Sequence, residues 1–192
     1  MTYAGLSFKA NEIEAHLGGN VAEGDPFTFS PSVWEYTINR FAVSSVLDLG
    51  SGLGYAAEFF FRKGLRVIAV DGLTENVRHA VYPTMKIDLC KSKVTCKVDL
   101  VHCQEVVEHI EEEHLDNLLS SLCCGKYVLM THALPGQGGH HHVNLQPREY
   151  WVEHMRRRGF SCLEEDSNRI RNLALAEGAR YVAASGLIFA AS

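Results

Sequence analysis

The sequence lacks any long hydrophobic run and any excess of positive charge. No stretch approaches the roughly 18 apolar residues that a membrane-spanning helix needs, and no N-terminal segment resembles a signal peptide. The formal net charge is −5 at pH 7, so nothing global draws the chain to an anionic membrane or to nucleic acid. We therefore expect a cytoplasmic location and no membrane association. The charge also disfavours a nucleic-acid partner, without excluding a local basic patch.

The cysteines lack the paired spacing of a zinc ribbon. The six of them are scattered: Cys90, Cys96, Cys103, Cys123, Cys124 and Cys162. Several lie within or beside predicted strands, where a reduced cysteine packs as a small apolar side chain, as expected in a reducing compartment. Internal repeats and low-complexity segments are also missing. The 192 residues fit one domain that can bury a full core.

What the sequence does contain is a strand that runs through glycines into a helix. The apolar run at 45–49 predicts a buried strand, and Gly50, Gly52 and Gly54 follow it before an apolar helical pattern begins at Ala56. Such a turn exposes backbone N–H groups at the positive end of a helix. Glycine also lets a ligand approach where a Cβ would collide. The turn therefore indicates a site for a nucleotide-like ligand in a doubly wound sheet.

Two cofactors fit this turn. The pattern Gly52-x-Gly54-x-x-Ala57 matches the dinucleotide fingerprint and would indicate NAD. Asp48, however, stands two residues before Gly50. A carboxylate at that position would repel a diphosphate, but it suits the ammonium and sulfonium groups of S-adenosylmethionine. We therefore favour S-adenosylmethionine over NAD.

The stretch Asp-x-Gly-x-Gly-x-Gly at 48–54 resembles motif I of the class I S-adenosylmethionine-dependent methyltransferases. The segment 135–151 is similar to small stand-alone methyltransferase-domain proteins, and that resemblance runs from about Phe29 to the C-terminus. It implies a transferase of class EC 2.1.1. It also implies a Rossmann-like, doubly wound α/β sheet of seven strands, mostly parallel with an antiparallel last strand. We assign residues 30–192 to the methyltransferase domain and residues 1–29 to an N-terminal arm or lid.

The predicted order of elements agrees with that fold. Strands are predicted at 45–49, 66–70, 83–87, 97–103, 127–133, 160–164 and 186–190, the last pairing antiparallel beside the sixth. Helices are predicted at 11–17, from Pro31 with Ser30 as N-cap, and at 55–63, 74–80, 112–122, 148–158 and 168–176. Trp34, in the helix that starts at Pro31, is predicted to anchor the core.

Residues at the ends of the predicted strands supply the cofactor site. The expected contacts are Asp48, Gly50, Ser51, Gly52, Gly54, Asp71, Gly72, Leu73, Asp88, Leu89, Gln104 and Glu105. Asp71 ends the second strand, where an acidic residue accepts hydrogen bonds from both ribose hydroxyls. Asp88 follows the third strand, whose tip contacts adenine in this fold, and its carboxylate can accept from the N6 amine. Gln104 and Glu105 follow the fourth strand, where methyl donor and acceptor meet.

The stretch Glu105-x-x-Glu108-His109 could bind a divalent cation. Residues three and four apart share one face of a helical turn, so the three side chains can converge. Two carboxylates and an imidazole form a plausible ligand set. Alternatively, Glu105 lies near the cofactor, Glu108 caps a helix and His109 packs against a neighbouring loop. Ubiquinone-type O-methyltransferases and small-RNA 3′-end methyltransferases use a similar stretch, which implies a metal that holds vicinal hydroxyls.

The run His140-His141-His142-Val143-Asn144 follows the fifth predicted strand, on the ligand side of the sheet. An imidazole that titrates near neutral pH is a natural general base. We favour His142, because Val143 and Asn144 anchor it beside the next helix. The RNA enzymes add a later histidine to their metal ligands, and His140, His141 or His142 could serve as that residue here. The alternative is that the histidines simply occupy a solvated, glycine-rich loop.

These observations predict O-methylation of a small, hydroxyl-bearing substrate. The predicted catalytic residues are His142, His109 and Glu105, and the candidate metal ligands are Glu105, Glu108, His109 and His142. One alternative is metal-assisted methylation of a vicinal diol such as an RNA 3′ end. The other is a non-catalytic subunit that binds the cofactor. The basic run at 156–158 is interpreted as a solvated helix end.

Overall fold

A computed structural model describes residues 15–17 and 24–192 as a seven-stranded sheet covered by helices on both faces. The strands are β1 Ser45–Leu49, β2 Arg66–Asp71, β3 Thr84–Lys86, β4 Val98–Cys103, β5 Gly125–Met130, β6 Phe160–Cys162 and β7 Leu187–Ala191. Their order is β3-β2-β1-β4-β5-β7-β6, in which β7 runs antiparallel to both β5 and β6 while the other strands pair in parallel. The predicted fold class is confirmed.

The helices connect these strands. They are α1 Pro31–Phe41, α2 Tyr55–Arg62, α3 Thr74–His79, α4 Leu115–Leu122, α5 Arg148–Arg156, α6 Glu164–Glu177 and α7 Arg180–Ser185. Single 3-10 turns occur at Ala15–Leu17, Val107–His109 and Glu112–His114. Among the described helices, none has both the length and the apolar character that crossing a membrane would require.

The sheet separates two apolar cores. Side chains alternate across β1, so that Val46 packs with α1, α2 and α6 on one face, while Leu47 and Leu49 pack with α4 and α5 on the other. Every residue of β1 is buried, because this strand lies at the centre of the sheet between β2 and β4. A central parallel strand covered on both faces is apolar throughout. Asp48 is a charged residue inside this buried strand, so its burial requires an explanation.

The C-terminal region departs from the predicted boundaries. The strand predicted at 160–164 ends at Cys162, because Glu164 begins α6 with three acidic residues in its first turn. Carboxylates are favoured at that positive end of a helix dipole. The predicted helix at 168–176 is therefore only the later part of α6. The short helix α7 was not predicted, and β5 begins at Gly125 and ends at Met130 rather than spanning 127–133.

The N-terminal arm predicted at 1–29 is described only in part. The predicted helix at 11–17 is seen over Ala15–Leu17 as a 3-10 turn, and the remainder of that prediction lies outside the described residues. From Gly24 onward the chain crosses the carboxyl ends of the strands. The Asp25 carboxylate accepts the Tyr181 hydroxyl at 3.0 Å, and the Thr28 carbonyl accepts the Gln104 amide at 3.1 Å. This segment therefore covers part of the edge where ligands bind in such sheets.

The start of α1 agrees with prediction in position but not in detail. Ser30 is the N-cap residue and Pro31 opens the helix, and the Ser30 carbonyl accepts the first helical N–H, from Trp34, at 3.0 Å. The Ser30 hydroxyl, however, makes no capping hydrogen bond. Trp34 is 2% exposed and lies in the core on the α1 side of the sheet, as the sequence indicated.

Candidate functional site

The glycine turn after β1 has three left-handed residues. The φ angles are 73° at Gly50, 56° at Gly52 and 79° at Gly54, values that residues with a Cβ adopt only with strain. Gly50 is restricted a second time, because a Cβ there would collide with Cγ2 of Val106. The conformation therefore depends on glycine at these positions.

The N–H groups of this turn are largely used within the protein. Gly50 and Ser51 both donate to the Val70 carbonyl at 2.9 Å, and Gly54 donates to the Ser51 carbonyl at 2.8 Å. Gly52 donates to the Asp71 carboxylate at 2.8 Å. The expectation that the turn exposes its N–H groups is therefore wrong for these four. The turn offers shape and space to a ligand instead.

Asp71 lies at the end of β2 and organises the loop beside the glycine turn. Its carboxylate accepts the N–H groups of Gly52 and Leu73, each at 2.8 Å, and the side-chain amide of Asn76 at 3.2 Å. Burial raises the pKa of Asp71, although these hydrogen bonds oppose the shift. Gly72, the next residue, lies against the side chain of Leu17 from the N-terminal turn.

Asp88 also contacts the described N-terminal turn. Its carboxylate lies 3.1 Å from Nε2 of His16 and 3.1 Å from Nζ of Lys91, and it accepts the N–H of Cys90 at 2.9 Å. Burial would raise the pKa of Asp88, but these partners outweigh burial and lower it. Leu89 is buried beside it. Because His16 and Leu17 contact Asp88 and Gly72, the N-terminal turn covers the end of the site predicted to hold ribose and adenine.

Glu105 occupies a strained position directly after β4. Its φ is 56°, a left-handed value that costs a non-glycine residue on the order of 1 kcal/mol. Thr131, at the end of β5, accepts the Glu105 N–H at 2.8 Å and donates its hydroxyl to Oε1 of the same residue at 2.8 Å. Thr131 is fully buried. It falls within the fifth predicted strand and was not predicted to belong to the site. It holds the Glu105 carboxylate in one orientation.

Glu108, His109 and His142 form a cluster of candidate metal ligands. One ligand atom from each lies within 4.8 Å of the others, and the two imidazole centroids are 5.0 Å apart. Glu108 is 0% exposed. Within the part of the chain that the structure describes, neither Glu108 carboxylate oxygen, nor Nδ1 of His109, nor Nδ1 of His142 has a hydrogen-bond partner. Of the four predicted ligands, Glu108, His109 and His142 therefore come together, whereas Glu105 is not part of this cluster.

The backbone explains how His142 reaches the other two residues. The Glu108 carbonyl accepts the N–H groups of Val143 and Asn144 at 3.0 and 3.1 Å. The Asn144 side chain donates to the Ile110 carbonyl at 3.2 Å. Neither of the neighbouring histidines joins the cluster, since His140 is exposed and His141 lies 3.5 Å from the Glu111 carboxylate.

The electrostatics of the cluster fit a cation. Burial raises the pKa of Glu108 well above its usual range, and the neighbouring Glu105 carboxylate adds to that shift. Burial likewise raises the pKa of Glu105. Burial and the nearby His142 lower the pKa of His109 to about 4. A buried carboxylate without a partner is costly, and a divalent cation bound by these oxygen and nitrogen atoms would remove that cost.

A second buried polar group lies at Asp48, which the sequence predicted as a cofactor contact. Oδ1 of Asp48 is 2.7 Å from Nδ1 of His102, and the indole N–H of Trp34 donates to Nε2 of His102 at 3.2 Å. All three side chains are at most 4% exposed. The sequence reading missed His102, although a histidine inside the apolar run of β4 was the available signal.

No family model matches the chain, and no curated protein matches it in sequence. Solved structures do match. An S-adenosylmethionine-dependent methyltransferase from Archaeoglobus fulgidus superposes with a TM-score of 0.56 at 19% sequence identity, covering 85% of this chain and 96% of that one. The methyltransferase domain of bacterial CtHen1-C gives a TM-score of 0.58 at 15% identity, covering 84% and 95%. This chain has the class I methyltransferase fold.

The class I methyltransferase fold does not by itself define the reaction. The cyclase SpnF also superposes on this chain, with a TM-score of 0.57 at 13% identity over 87% of this chain and 85% of that one. The chemistry must therefore be argued from the side chains at the carboxyl edge of the sheet. On this class I methyltransferase scaffold, those are the glycine turn with Asp48, the acidic residues after β2 and β3, and the cluster around Glu108.

Proposed function

We propose that the protein is an S-adenosylmethionine-dependent methyltransferase that methylates a hydroxyl oxygen of a small molecule with vicinal hydroxyls. A divalent cation, held by Glu108, His109 and His142 with Glu105 beside them, would bind that diol. The observation that carries the proposal is the fully buried Glu108 carboxylate, which lacks a basic partner among the described residues and lies beside the carboxyl group of Glu105. The fold and the glycine turn support the choice of cofactor.

The charges at the cofactor edge favour S-adenosylmethionine over a dinucleotide. Asp48, Asp71 and Asp88 stand at or near the ends of β1, β2 and β3, so three carboxylates border the predicted site. A diphosphate would be repelled there, whereas an ammonium group and ribose hydroxyls are suitable partners. The turn also leaves few free N–H groups to hold phosphate oxygens.

The ligand set suits a hard or borderline cation such as Mg²⁺ or Mn²⁺. Carboxylate oxygens and imidazole nitrogens are typical ligands of such ions, which are commonly six-coordinate and so leave positions for two substrate oxygens. When bound, the cation would stabilise negative charge on the attacking hydroxyl oxygen. Methylation breaks the methyl–sulfur bond and forms a methyl–oxygen bond, and the hydroxyl proton would pass to the Glu105 carboxylate, whose pKa is raised to about 7 by burial. Thr131 would keep Glu105 oriented toward the acceptor during this step.

Surface charge favours a small acceptor over an RNA end. Arg156 and Arg157 both pair with Glu153, and Arg158 pairs with Asp116, so each arginine of the basic run at the end of α5 already has an acidic partner. A phosphate-binding stripe would present unpaired basic residues. The net charge of −5 points the same way.

The proposal is tested by methyl transfer from labelled cofactor to a panel of small diols and their monodeoxy analogues. We expect transfer to the diols only, loss of transfer in excess EDTA and recovery on adding Mn²⁺. Glu108→Gln should abolish both transfer and Mn²⁺ binding by calorimetry. The control Glu165→Gln changes an exposed carboxylate in the first turn of α6 and should change neither. Methyl transfer to an RNA 3′ end but to no small diol would show that the acceptor is RNA and that the proposed small-molecule acceptor is wrong.

A second candidate, metal-free O-methylation with His142 as the general base, is favoured by one observation. His142 is half-buried, its Nδ1 lacks a partner within the described residues, and burial lowers its pKa, so the imidazole is neutral at physiological pH. Activity that survives complete chelation but is lost in His142→Gln would establish it. Cofactor binding without turnover, unaffected by alanine at Glu105, Glu108 or His142, would instead indicate a non-catalytic subunit.

A further inference from the structure

A buried polar chain connects α1 to the carboxylate at the head of the glycine turn. His102 on β4 and Asp48 on β1 are direct neighbours across the parallel sheet, and their side chains meet at 2.7 Å. Trp34 reaches His102 from α1 at 3.2 Å. Asp48 is 2% exposed, His102 4% and Trp34 2%. None of the three belongs to the cluster around Glu108.

The chemistry of the donors fixes the protonation of His102. An indole N–H can only donate, so Nε2 of His102 must accept and carries no proton. The proton of the neutral ring is then on Nδ1, which donates to Oδ1 of Asp48. The two hydrogen bonds therefore point the same way, with Trp34 donating to His102 and His102 donating to Asp48.

Aromatic side chains surround the His102 imidazole and the Trp34 indole among the described residues. The ring of Phe60 packs against His102 and against Trp34, with centroids 5.7 and 5.8 Å away, and Phe59 packs against Trp34 at 5.1 Å. Buried polar groups are retained at a cost, which only complete hydrogen bonding offsets. Along this chain, every described polar atom is paired except Oδ2 of Asp48.

We propose that His102 and Trp34 are positioning residues that hold Asp48 for the ammonium group of the amino-acid part of the cofactor. Oδ1 is occupied by His102, so Oδ2 is the oxygen left for the ligand. This inference rests on the proposed cofactor. It assigns to a histidine of the central sheet a role in cofactor affinity and not in methyl transfer itself.

The test compares two ligands that differ by the group concerned. S-adenosylhomocysteine carries the amino-acid part, whereas 5′-methylthioadenosine has the same nucleoside thioether without it. By calorimetry, His102→Leu should weaken binding of S-adenosylhomocysteine about 10- to 100-fold, the scale for a charged hydrogen-bonding partner. Binding of 5′-methylthioadenosine should stay within about twofold, which also shows that the variant is folded. His102→Asn, whose side-chain amide can donate to Asp48, should recover most of the loss.

Trp34→Phe provides an independent spectroscopic readout. It removes the indole donor but keeps an aromatic ring in the core, so the Nε2 tautomer of His102 becomes accessible. We expect ¹⁵N NMR to show only Nδ1-protonated His102 in the unaltered protein and a mixture in the variant. If His102→Leu weakened the binding of both ligands equally, or of neither, this inference would be wrong and the proposed cofactor would be unaffected. Failure of the unaltered protein to bind either ligand would overturn the proposed cofactor, and this inference with it.

Discussion

Asn144 donates its backbone N–H to the carbonyl oxygen of Glu108 at 3.1 Å. This bond joins the loop that carries His142 to the turn that carries Glu108 and His109, two segments far apart in sequence. The Asn144 side chain adds a second connection, to the Ile110 carbonyl at 3.2 Å. The candidate ligands therefore converge through backbone contacts, and the position of His142 depends on a residue that is not itself a candidate ligand.

Asn144→Ala should weaken cation binding without removing a ligand. The variant keeps the backbone bond but leaves the buried Ile110 carbonyl without its donor, which costs about 1–3 kcal/mol of unfolding free energy. Loss of such a supporting contact typically lowers metal affinity about 10-fold or more. Urea unfolding and Mn²⁺ calorimetry measure the two effects. Val143→Ala, a change at a residue that is 47% exposed, is the control and should alter neither. Unchanged Mn²⁺ affinity in Asn144→Ala would contradict this role.

Gly50→Ala should be more destabilising than Gly64→Ala. Both glycines have positive φ, 73° and 83°, so both substitutions carry the left-handed penalty of roughly 1 kcal/mol. Of the two, Gly50 also faces a neighbour, since its new Cβ would collide with Val106, whereas no described atom lies within 4 Å of a Cβ built at Gly64. We expect an additional loss of about 1–3 kcal/mol at Gly50 by urea unfolding. Val106→Ala in the Gly50→Ala background should recover part of it. Equal losses of unfolding free energy in Gly50→Ala and Gly64→Ala would show that the Val106 side chain moves away from the new Cβ without cost.

The individual elements could be predicted because their signals are local, whereas the seven-stranded sheet was implied by the resemblance to class I methyltransferases. An apolar run ending in Gly50, Gly52 and Gly54 predicts a strand, a left-handed turn and a helix without knowledge of the rest of the chain. The boundaries that were wrong, such as the end of β6 at Cys162, depend on which residue starts the next helix. Short elements such as α7 have too few apolar positions to give a pattern.

Part of the site was predictable because neighbours in sequence are also neighbours in space. Glu108 and His109 lie on one turn, so their proximity follows from the sequence, whereas Glu105 precedes that turn in a left-handed conformation. Thr131 and His102 were missed because their partners lie on other strands, and strand register sets those contacts. The use of the turn's N–H groups by Val70 and Asp71 likewise depends on the pairing of β1 with β2, which no local pattern reveals.

Asp71→Ala should weaken S-adenosylhomocysteine binding by about 1–3 kcal/mol, the scale for losing a charged hydrogen-bonding partner. The reason is twofold, because Asp71 is the predicted ribose acceptor and also holds the N–H groups of Gly52 and Leu73. Calorimetry gives the dissociation constant. Asn76→Ala, which removes one donor to Asp71 and keeps the carboxylate, should change it far less. An unchanged constant in Asp71→Ala would show that ribose binds elsewhere.

Asp99 should make the stability of the protein depend on acid pH. Its carboxylate lies at the amino-terminal edge of the sheet, opposite the site. It accepts the hydroxyl and N–H of Ser44 at 2.7 and 3.0 Å, those of Ser45 at 3.0 and 3.1 Å, and Nζ of Lys126 at 2.7 Å. Lys126 and Ser44 are the main reasons why the pKa of Asp99 lies well below its usual value. Ionised Asp99 therefore joins the starts of β1 and β4 to β5.

The sign of the effect follows from that lowered pKa. A carboxyl group whose pKa is lower in the folded chain contributes its full stabilisation above the unfolded value, about 3.9, and loses it as pH falls through the folded value. At pH 7, Asp99→Asn should lower the unfolding free energy by about 1–2 kcal/mol, the upper end being reduced by solvent at this edge position. Urea unfolding from pH 7 to pH 2.5 should show the difference between the two proteins constant down to about pH 4, then shrinking. Other carboxylates titrate in both proteins and cancel in that difference. A difference that stays constant to pH 2.5 would mean that the shape of the side chain matters at this edge, and its charge does not.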